Sequence, residues 1–136
     1  MESVAESLPE GAQNISIGGF NRFAGPFYRL PDDGDIRRFA FVALDKHMNS
    51  AGSVHGGVLM TFADIAMSRT SRLSTGANAC STVSFSCEFM APGHLADLIE
   101  IRVRVSRRTK GFVFLSADIA CEARALMQAS GLWRIG

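Results

Sequence analysis

Alternation of apolar and polar residues dominates the second half of the chain and predicts four β-strands. The apolar positions of the first two are Val83, Phe85, Cys87 and Phe89, and then Ile99, Ile101, Val103 and Val105. Two further segments follow, marked by Val113, Leu115, Ala117, Ile119 and Cys121, and by Ala125, Met127, Ala129 and Trp133. A period of two places successive side chains on opposite faces of a sheet, so each strand is predicted to be half-buried. Because no helical pattern interrupts the run, the strands should be largely antiparallel, with connections at residues 92–93 and 107–111.

One strong helical pattern precedes these strands, over about residues 56–73. Positions 58, 59, 62, 65 and 66 form one apolar face, and a second apolar line runs through Met60, Ala63 and Met67. The only polar stripe consists of Gly57, Thr61, Asp64 and Ser68. A helix that is apolar on most of its circumference should be wrapped by the sheet. The pattern therefore predicts an α+β domain built around one central helix.

The first third of the chain predicts a β-hairpin and an arm. Residues 27–30 and 37–44 read as strands, and residues 31–34, Pro-Asp-Asp-Gly, supply the dihedral angles of a turn. Residues 1–25 lack sustained periodicity and are rich in Gly, Ser, Asn and Glu. We expect an N-terminal arm over residues 1–25, with room for one short helix, and a single domain over residues 26–136.

Composition narrows the class of protein. The 136 residues are 47% hydrophobic and 20% charged with a formal net charge of +1, which is typical of an ordinary soluble globular domain and argues against a nucleic-acid-binding chain. No apolar run approaches the roughly 18–20 residues that span a bilayer, and the acidic N-terminus does not read as a signal peptide, so we expect no membrane association and a cytoplasmic location. Three cysteines in apolar surroundings indicate reduced core residues, and the three histidines lack the spacing of a metal site. We expect neither a metal nor a cofactor.

Residues 49–57 form the most informative segment, because a polar loop, His55 and two glycines come directly before the helix. Without a Cβ, Gly56 and Gly57 let a ligand approach the unpaired backbone N–H groups at the positive end of the helix dipole. Such a site stabilises developing negative charge on an oxygen. The same glycines would also serve a tight entry into the helix, and this segment alone does not separate the two readings.

Two other features admit both a structural and a functional reading. Asp64 lies about two helical turns beyond His55 in an otherwise apolar helix. It is either part of a solvated helix face or a general base or nucleophile in a partly dry cleft. The cluster of Arg107, Arg108, Thr109 and Lys110 is either a solvated turn or a patch that contacts phosphate groups.

A family resemblance favours the functional readings. The ordered set resembles the hotdog-fold thioesterases of the PaaI-like, phenylacetate-degradation and acyl-CoA thioesterase type over about residues 37–135. It comprises Asn49, Gly52, His55, Gly56, Gly57, Asp64, Thr82 and the Phe-Met-Ala-Pro segment at residues 89–92. The resemblance implies an antiparallel sheet wrapped around one long helix, which is the architecture that the periodicity predicts.

The resemblance also implies a role for each matching residue. Asp64 would be the base or nucleophile, and the backbone N–H of Gly56 would polarise the thioester carbonyl with assistance from Asn49. His55 would shape the same pocket, and Thr82 would help to orient the attacking water. Gly57 and the basic cluster at residues 107–110 would contact the substrate. The family assembles this site across a homodimer interface, and whether two dimers pair into a tetramer stays open.

The expected activity is hydrolysis of an acyl-CoA thioester, since a polariser, a base and a positioned water are what an activated carbonyl requires. Dehydratases of related fold place an acid near position 69, where this chain has an arginine. The alternative is a non-catalytic acyl-CoA-binding or sensing module. An aryl or medium-length acyl group would lie in an apolar pocket lined by Met60, Phe62, Met67, Phe85 and Phe89.

Overall fold

A computed structural model describes residues 7–136, so the first six residues of the predicted arm lie outside the described part. Residues 8–136 contain two α-helices and seven β-strands. In chain order these are β1 (Gln13–Asn14), α1 (Gly19–Ala24), β2 (Tyr28–Asp33), β3 (Ile36–Val42), α2 (Gly56–Thr75), β4 (Cys80–Phe89), β5 (Leu98–Arg108), β6 (Phe112–Cys121) and β7 (Arg124–Ile135). A single turn of 3-10 helix, Asp45–His47, lies between β3 and α2.

All seven strands belong to one antiparallel sheet with the order β1-β2-β3-β5-β6-β7-β4. The inner face of the sheet packs against α2, which confirms the predicted α+β architecture. The four consecutive strands are antiparallel as predicted. The alternation did not indicate their order: β4 pairs with β7 at the far edge instead of with its sequence neighbour β5.

Helix α2 begins at Gly56 and ends at Thr75, two residues beyond the predicted end, because Gly76 adopts the left-handed conformation (φ 74°) that stops it. Its buried face consists of Leu59, Phe62, Ala63, Ala66, Met67, Thr70 and Ser71. The last two are polar, and each hydroxyl donates to a helix carbonyl, Thr70 to Ala66 at 2.8 Å and Ser71 to Ser68 at 2.6 Å. Burial of these hydroxyls therefore leaves no donor unsatisfied.

The core is built from apolar side chains of the helix and the concave face of the sheet. Phe62 of α2 stacks on Phe27 with ring centroids 5.6 Å apart and meets Phe41 of β3 edge-on at 4.8 Å. The indole N–H of the buried Trp133 donates to Ser68 Oγ at 2.8 Å. These contacts fix the orientation of α2 within the sheet.

Two connections differ from their predicted positions. Pro31, Asp32 and Asp33 lie within β2, so the hairpin turn is confined to residues 34–35 and does not begin at residue 31. Arg107 and Arg108 end β5, and the next turn is confined to residues 109–111. In both cases backbone pairing continues further than the polarity of the side chains indicates.

Strand β4 is not buried on either face to the degree that its alternation predicts. Val83 and Phe89 are each 54% exposed, and only Cys80, Phe85 and Cys87 are half-buried. β4 lies at the edge of the sheet beside α2, and Cys80, Phe85 and Cys87 pack against the core there. A register shift between Thr82 and Ser84 interrupts the alternation at Val83.

The segment predicted as an arm contains β1, which pairs with β2, and the short helix α1. Ile15 is buried in the core. The boundary at residue 25 stays a prediction. Over residues 7–136, neither helix combines the length and hydropathy needed to span a bilayer.

Candidate active site

The start of α2 is capped by the histidine that precedes it. Nδ1 of His55 accepts a hydrogen bond from the backbone N–H of Gly57 at 2.8 Å. A Cβ on Gly57 would lie 2.9 Å from that same nitrogen, so only glycine lets the ring fold over the helix end. The N-cap formed by His55 therefore explains why residue 57 is a glycine.

Gly56 is the first residue of α2, and its backbone N–H has no hydrogen-bond partner within residues 7–136. The ring of Phe89 lies 3.2 Å from where a Cβ of Gly56 would be. A cleft of about 370 Å³ opens beside this N–H and is lined by Val54, Gly56, Leu59, Phe89, Met90, Ala91, Pro92 and Gly93. An unpaired donor at the positive end of a helix, next to an apolar cleft, can polarise a carbonyl.

The side chain of Asn49 closes the loop that leads to this helix start. Its Oδ1 accepts from the backbone N–H groups of Ala51 and Ser53, both at 3.0 Å, and its Nδ2 donates to Ser53 Oγ at 3.1 Å. Gly52 completes the turn at φ 85°, a conformation that favours glycine. These hydrogen bonds show that Asn49 stabilises the shape of the loop.

The candidate base and the candidate water-orienting residue are in direct contact. Thr82 Oγ1 of β4 donates to Asp64 Oδ1 of α2 at 2.6 Å. Asp64 is half-buried and takes part in no ion pair of the described residues. A carboxylate fixed by one hydroxyl keeps its remaining lone pairs for a further donor, such as water.

These two groups of residues do not meet within one chain. Asp64 lies eight residues beyond Gly56, which corresponds to about 12 Å along the helix axis. The N–H of Gly56 and the carboxylate of Asp64 therefore cannot both contact one reacting carbonyl. The structure brings Asp64 to Thr82, and His55 to Gly57, as two separate half-sites.

A β-bulge divides the basic cluster between the two faces of the sheet. The register shifts between Val105 and Arg107, so Arg107 pairs with Phe114 and Arg108 pairs with Val113. Val113 is buried on the inner face, and Arg108 accordingly reaches the end of α2, where its Nη1 donates to the carbonyl of Ser74 at 3.3 Å. Arg107 is on the opposite face, so the two arginines do not form one patch.

The prediction that Phe62 and Met67 line an acyl pocket is wrong. Phe62 and Met67 are fully buried in the core, whereas Met60 is 41% exposed. Of the five predicted residues only Phe89 lines the cleft beside Gly56. Apolar periodicity marks burial, and it does not separate a side chain that fills the core from one that borders a cavity.

Two arginines that the sequence analysis gave no role lie on the unburied side of α2. Arg69 and Arg72 are both half-buried, and Arg72 Nη1 contacts Cys80 Sγ of β4 at 3.3 Å. Arg72 continues the stripe of Thr61, Asp64 and Ser68 towards the end of the helix, whereas Arg69 continues the line of Val58, Phe62 and Ile65. Extending the polar stripe past residue 68 would have found Arg72 alone.

His47, to which the sequence analysis assigned no role, is buried and structural. Its Nδ1 accepts from the backbone N–H of Leu44 at 3.0 Å, and its Nε2 bonds to the carbonyl oxygen of Ala24 at 2.6 Å. Burial lowers the pKa of His47 below its ordinary value. The neutral ring therefore ties the end of α1 to the segment that leads into the Asn49 loop.

Comparison with known proteins identifies the class to which this fold and site belong. Residues 51–127 match the family model described as the thioesterase superfamily. A Pseudomonas aeruginosa protein named "Putative esterase PA0474" is 30% identical over 134 residues, which cover 95% of this chain and 98% of that protein. The chain therefore belongs to the thioesterase superfamily.

Solved structures confirm the fold. The PaaI protein from the phenylacetic acid degradation operon of E. coli superposes with a TM-score of 0.77 at 19% identity, over 87% of this chain and 86% of that one. Thioesterase superfamily member 2 of Mus musculus gives a TM-score of 0.76 at 18% identity, over 86% of this chain and 87% of that one. The predicted hotdog fold is confirmed.

Proposed function

We propose that this protein hydrolyses the thioester of an acyl-CoA to a free acid and CoA. Membership of the thioesterase superfamily supports a thioester hydrolase. The contact between Asp64 and Thr82 supports a reactive carboxylate beside the helix. The free N–H at Gly56 supplies the group that such a reaction needs at the carbonyl.

The observation that carries the proposal is the separation of the two half-sites. Because Gly56 and Asp64 lie about 12 Å apart on one helix, a complete site takes the helix start from one protomer and the carboxylate from another. A two-fold axis beside α2 would produce two identical sites of this kind. The proposed active form is therefore a homodimer, in which Asn49, His55 and Gly56 of one chain face Asp64 and Thr82 of its partner.

The proposed reaction uses each group once. The N–H of Gly56 donates to the thioester oxygen and stabilises the negative charge that develops there. Asp64 either takes a proton from water as the water oxygen attacks the carbonyl carbon, or attacks that carbon itself. The hydroxyl of Thr82 keeps the carboxylate in place.

In the base route, collapse of the tetrahedral intermediate breaks the carbon–sulfur bond, and the departing thiolate takes the proton that Asp64 holds. In the nucleophile route, collapse expels the thiolate and leaves the acyl group on Asp64 as an anhydride. Water then hydrolyses the anhydride to the free acid and Asp64, and a proton released in that step goes to the thiolate.

Mixing two inactive variants tests the shared site. Asn49→Ala and Asp64→Ala homodimers should each be impaired, because every site carries one defect. In a mixed dimer one site collects both defects and the other collects none. With random pairing about half of the dimers are mixed and half of their sites are intact, so co-expression should restore about a quarter of wild-type thiol release from an acyl-CoA.

Two results would contradict the proposal. Tight binding of acyl-CoA with no thiol release by the wild type would indicate a binding or sensing module in place of an enzyme. Activity no higher than that of the better single variant, in a sample shown to contain mixed dimers, would place Asn49 and Asp64 in one site of one chain.

A further inference from the structure

The aromatic ring of Phe89 lies against the start of α2. Its nearest atoms are 3.2 Å from the position that a Cβ of Gly56 would occupy. Covalent geometry separates that position from the Gly56 nitrogen by about 2.5 Å, so the edge of the ring lies within about 6 Å of this nitrogen. A carbonyl oxygen that accepts from the Gly56 N–H lies about 2.9 Å from the nitrogen. The ring therefore borders the place where the carbonyl carbon of a bound thioester would lie.

The backbone that carries this ring is fixed by the neighbouring strand. Phe89 pairs with Met127 at the end of β4, and the N–H of Met90 donates to the carbonyl of Leu126 at 2.8 Å. Leu126 and Met127 are both fully buried. Because the partner residues belong to the core, this part of β4 cannot move away from the helix start without disturbing β7. The ring can change its rotamer, but its Cβ keeps its place beside Gly56.

A second wall of the cleft is held by a close backbone contact. The N–H of Val54 donates to the carbonyl of Gly93 at 2.9 Å. A Cβ on Gly93 would lie 2.9 Å from Cγ2 of Val54, so the valine packs directly on the glycine backbone. Leu59, a buried residue of α2, also lines the cleft. The space beside Gly56 is thus bounded by parts of the chain whose backbones are held in place.

The lining of this cleft suits an acyl group better than the rest of an acyl-CoA. None of its eight lining residues carries a charged, hydroxyl or amide side chain. Burial of the amide groups of pantetheine without such partners is unfavourable, whereas a hydrocarbon chain gains from the same surroundings. The volume of about 370 Å³ is near the lower end of the range for ligand pockets. The cleft therefore fits a short or medium-length acyl group.

We propose that Phe89 selects acyl groups that are unbranched at the carbon next to the carbonyl. The proposal rests on the thioesterase function proposed above and deepens it by naming a substrate class. With the oxygen on the N–H of Gly56 and the hydrocarbon in the apolar cleft, this carbon is the first acyl atom to pass the ring. A second substituent there enters the space that the ring occupies. A methyl group that a pocket does not accommodate lowers kcat/KM by about 10–200-fold.

Two isomeric substrates test this assignment. Butanoyl-CoA and isobutanoyl-CoA contain the same atoms, and only the second is branched next to the carbonyl. The measured quantity is the ratio of their kcat/KM values, which does not depend on the fraction of protein that forms active dimers. The intrinsic reactivity of the two thioesters is the same for every variant and cancels when variants are compared. A purely structural role of Phe89 would therefore leave the ratio unchanged.

We expect the wild type to favour butanoyl-CoA by about tenfold or more, and Phe89→Ala to reduce that preference to within about threefold. Phe89→Tyr keeps the ring and should keep the wild-type ratio. Leu95→Ala is the matched control, since Leu95 is likewise 54% exposed and does not line the cleft. A wild type without this preference, a ratio unchanged in Phe89→Ala, or the same change in Leu95→Ala would overturn the proposal.

A binding measurement separates this proposal from the proposed function. If the wild type releases thiol from neither ester, the proposed function is wrong. Calorimetric titration with the same two esters then gives the ratio of their Kd values. Tighter binding of butanoyl-CoA that is lost in Phe89→Ala supports selection by Phe89. Binding of neither ester, equal binding of both by the wild type, or an unchanged ratio in Phe89→Ala overturns it.

Discussion

The two edges of the sheet are built in opposite ways. At one edge β1 has only two residues, and β2 ends in Asp32 and Asp33, which pair with arginines of β2, β3 and β5. At the other edge β4 has ten residues, of which Glu88 alone is charged. Short strands and ion pairs disfavour further pairing of an edge, whereas a long strand with a single charge leaves its edge available for pairing.

The two edges also differ in register and in the exposure of their apolar side chains. The register of β2 and β3 is irregular between Leu30 and Asp33, which makes further strand pairing at the β1–β2 edge less favourable. At the β4 edge, Val83, Phe89 and Met90 are about half exposed, and the Asp64–Thr82 contact lies beside them. We infer that the β4 edge meets a second copy of the chain and that the chemistry is located there.

The largest expected effect is the loss of the carboxylate at the β4 side. Asp64→Asn keeps the shape of the side chain and removes the base or nucleophile, so kcat for thioester hydrolysis should fall by about 10²–10⁴-fold. Asp33→Asn, at the charged edge, is the matched control and should keep kcat within about twofold. Steady-state thiol release measures both. More than a tenth of wild-type kcat in Asp64→Asn would remove Asp64 from the mechanism.

A smaller effect is expected from a charge placed on the edge strand itself. Val83→Lys puts an ammonium group on β4, where a two-fold axis would bring two of them together, so the dimer should dissociate and activity should fall about tenfold at low protein concentration. Asn14→Lys on β1 adds the same charge at the other edge and should change neither property. Sedimentation velocity gives the masses. A monomeric wild type, or an intact Val83→Lys dimer, would contradict the inference that β4 contacts a second copy of the chain.

The sequence predicted the fold well because periodicity reports burial directly. Val103, Leu115 and Trp133 alternate with polar residues and are buried as expected. Strand order was beyond that reasoning, since β4 alternates as regularly as β5 although it lies at an edge. Alternation records that a strand has two different faces, and it does not record what covers them.

The candidate site was predictable where its residues are adjacent in the chain. His55 and Gly57 form a local cap that their spacing indicates, whereas the contact of Asp64 with Thr82 joins residues eighteen positions apart and was indicated by the family resemblance alone. The sequence analysis mentioned Arg69 only because dehydratases of related fold have an acidic residue near that position. The burial of the Arg69 Nε atom without a partner among residues 7–136 depends on the packing of α2 in the sheet, which no local pattern contains.

The smallest expected effect concerns His47, which connects the β1–β2 edge of the sheet to the segment before α2. Its ring forms hydrogen bonds with Ala24, which ends α1 next to that edge, and with Leu44, which precedes the Asn49 loop. Burial, the largest cause, and nearby Lys46 lower its pKa in the folded chain. Well above pH 6.5, about one unit or more, the ring is neutral in both states and adds no pH dependence.

As the pH falls below about 6.5, the unfolded chain binds a proton at His47 that the folded chain does not yet bind, so the free energy of unfolding should fall. His47→Gln keeps a donor and an acceptor but does not titrate, and it should flatten this part of the profile even though its stability at pH 8 is slightly lower. Urea unfolding from pH 8 to pH 5 measures the slope, with the exposed His94→Gln as control. An unchanged slope in His47→Gln, or the same flattening in His94→Gln, would show that the neutral state of His47 does not join the two regions.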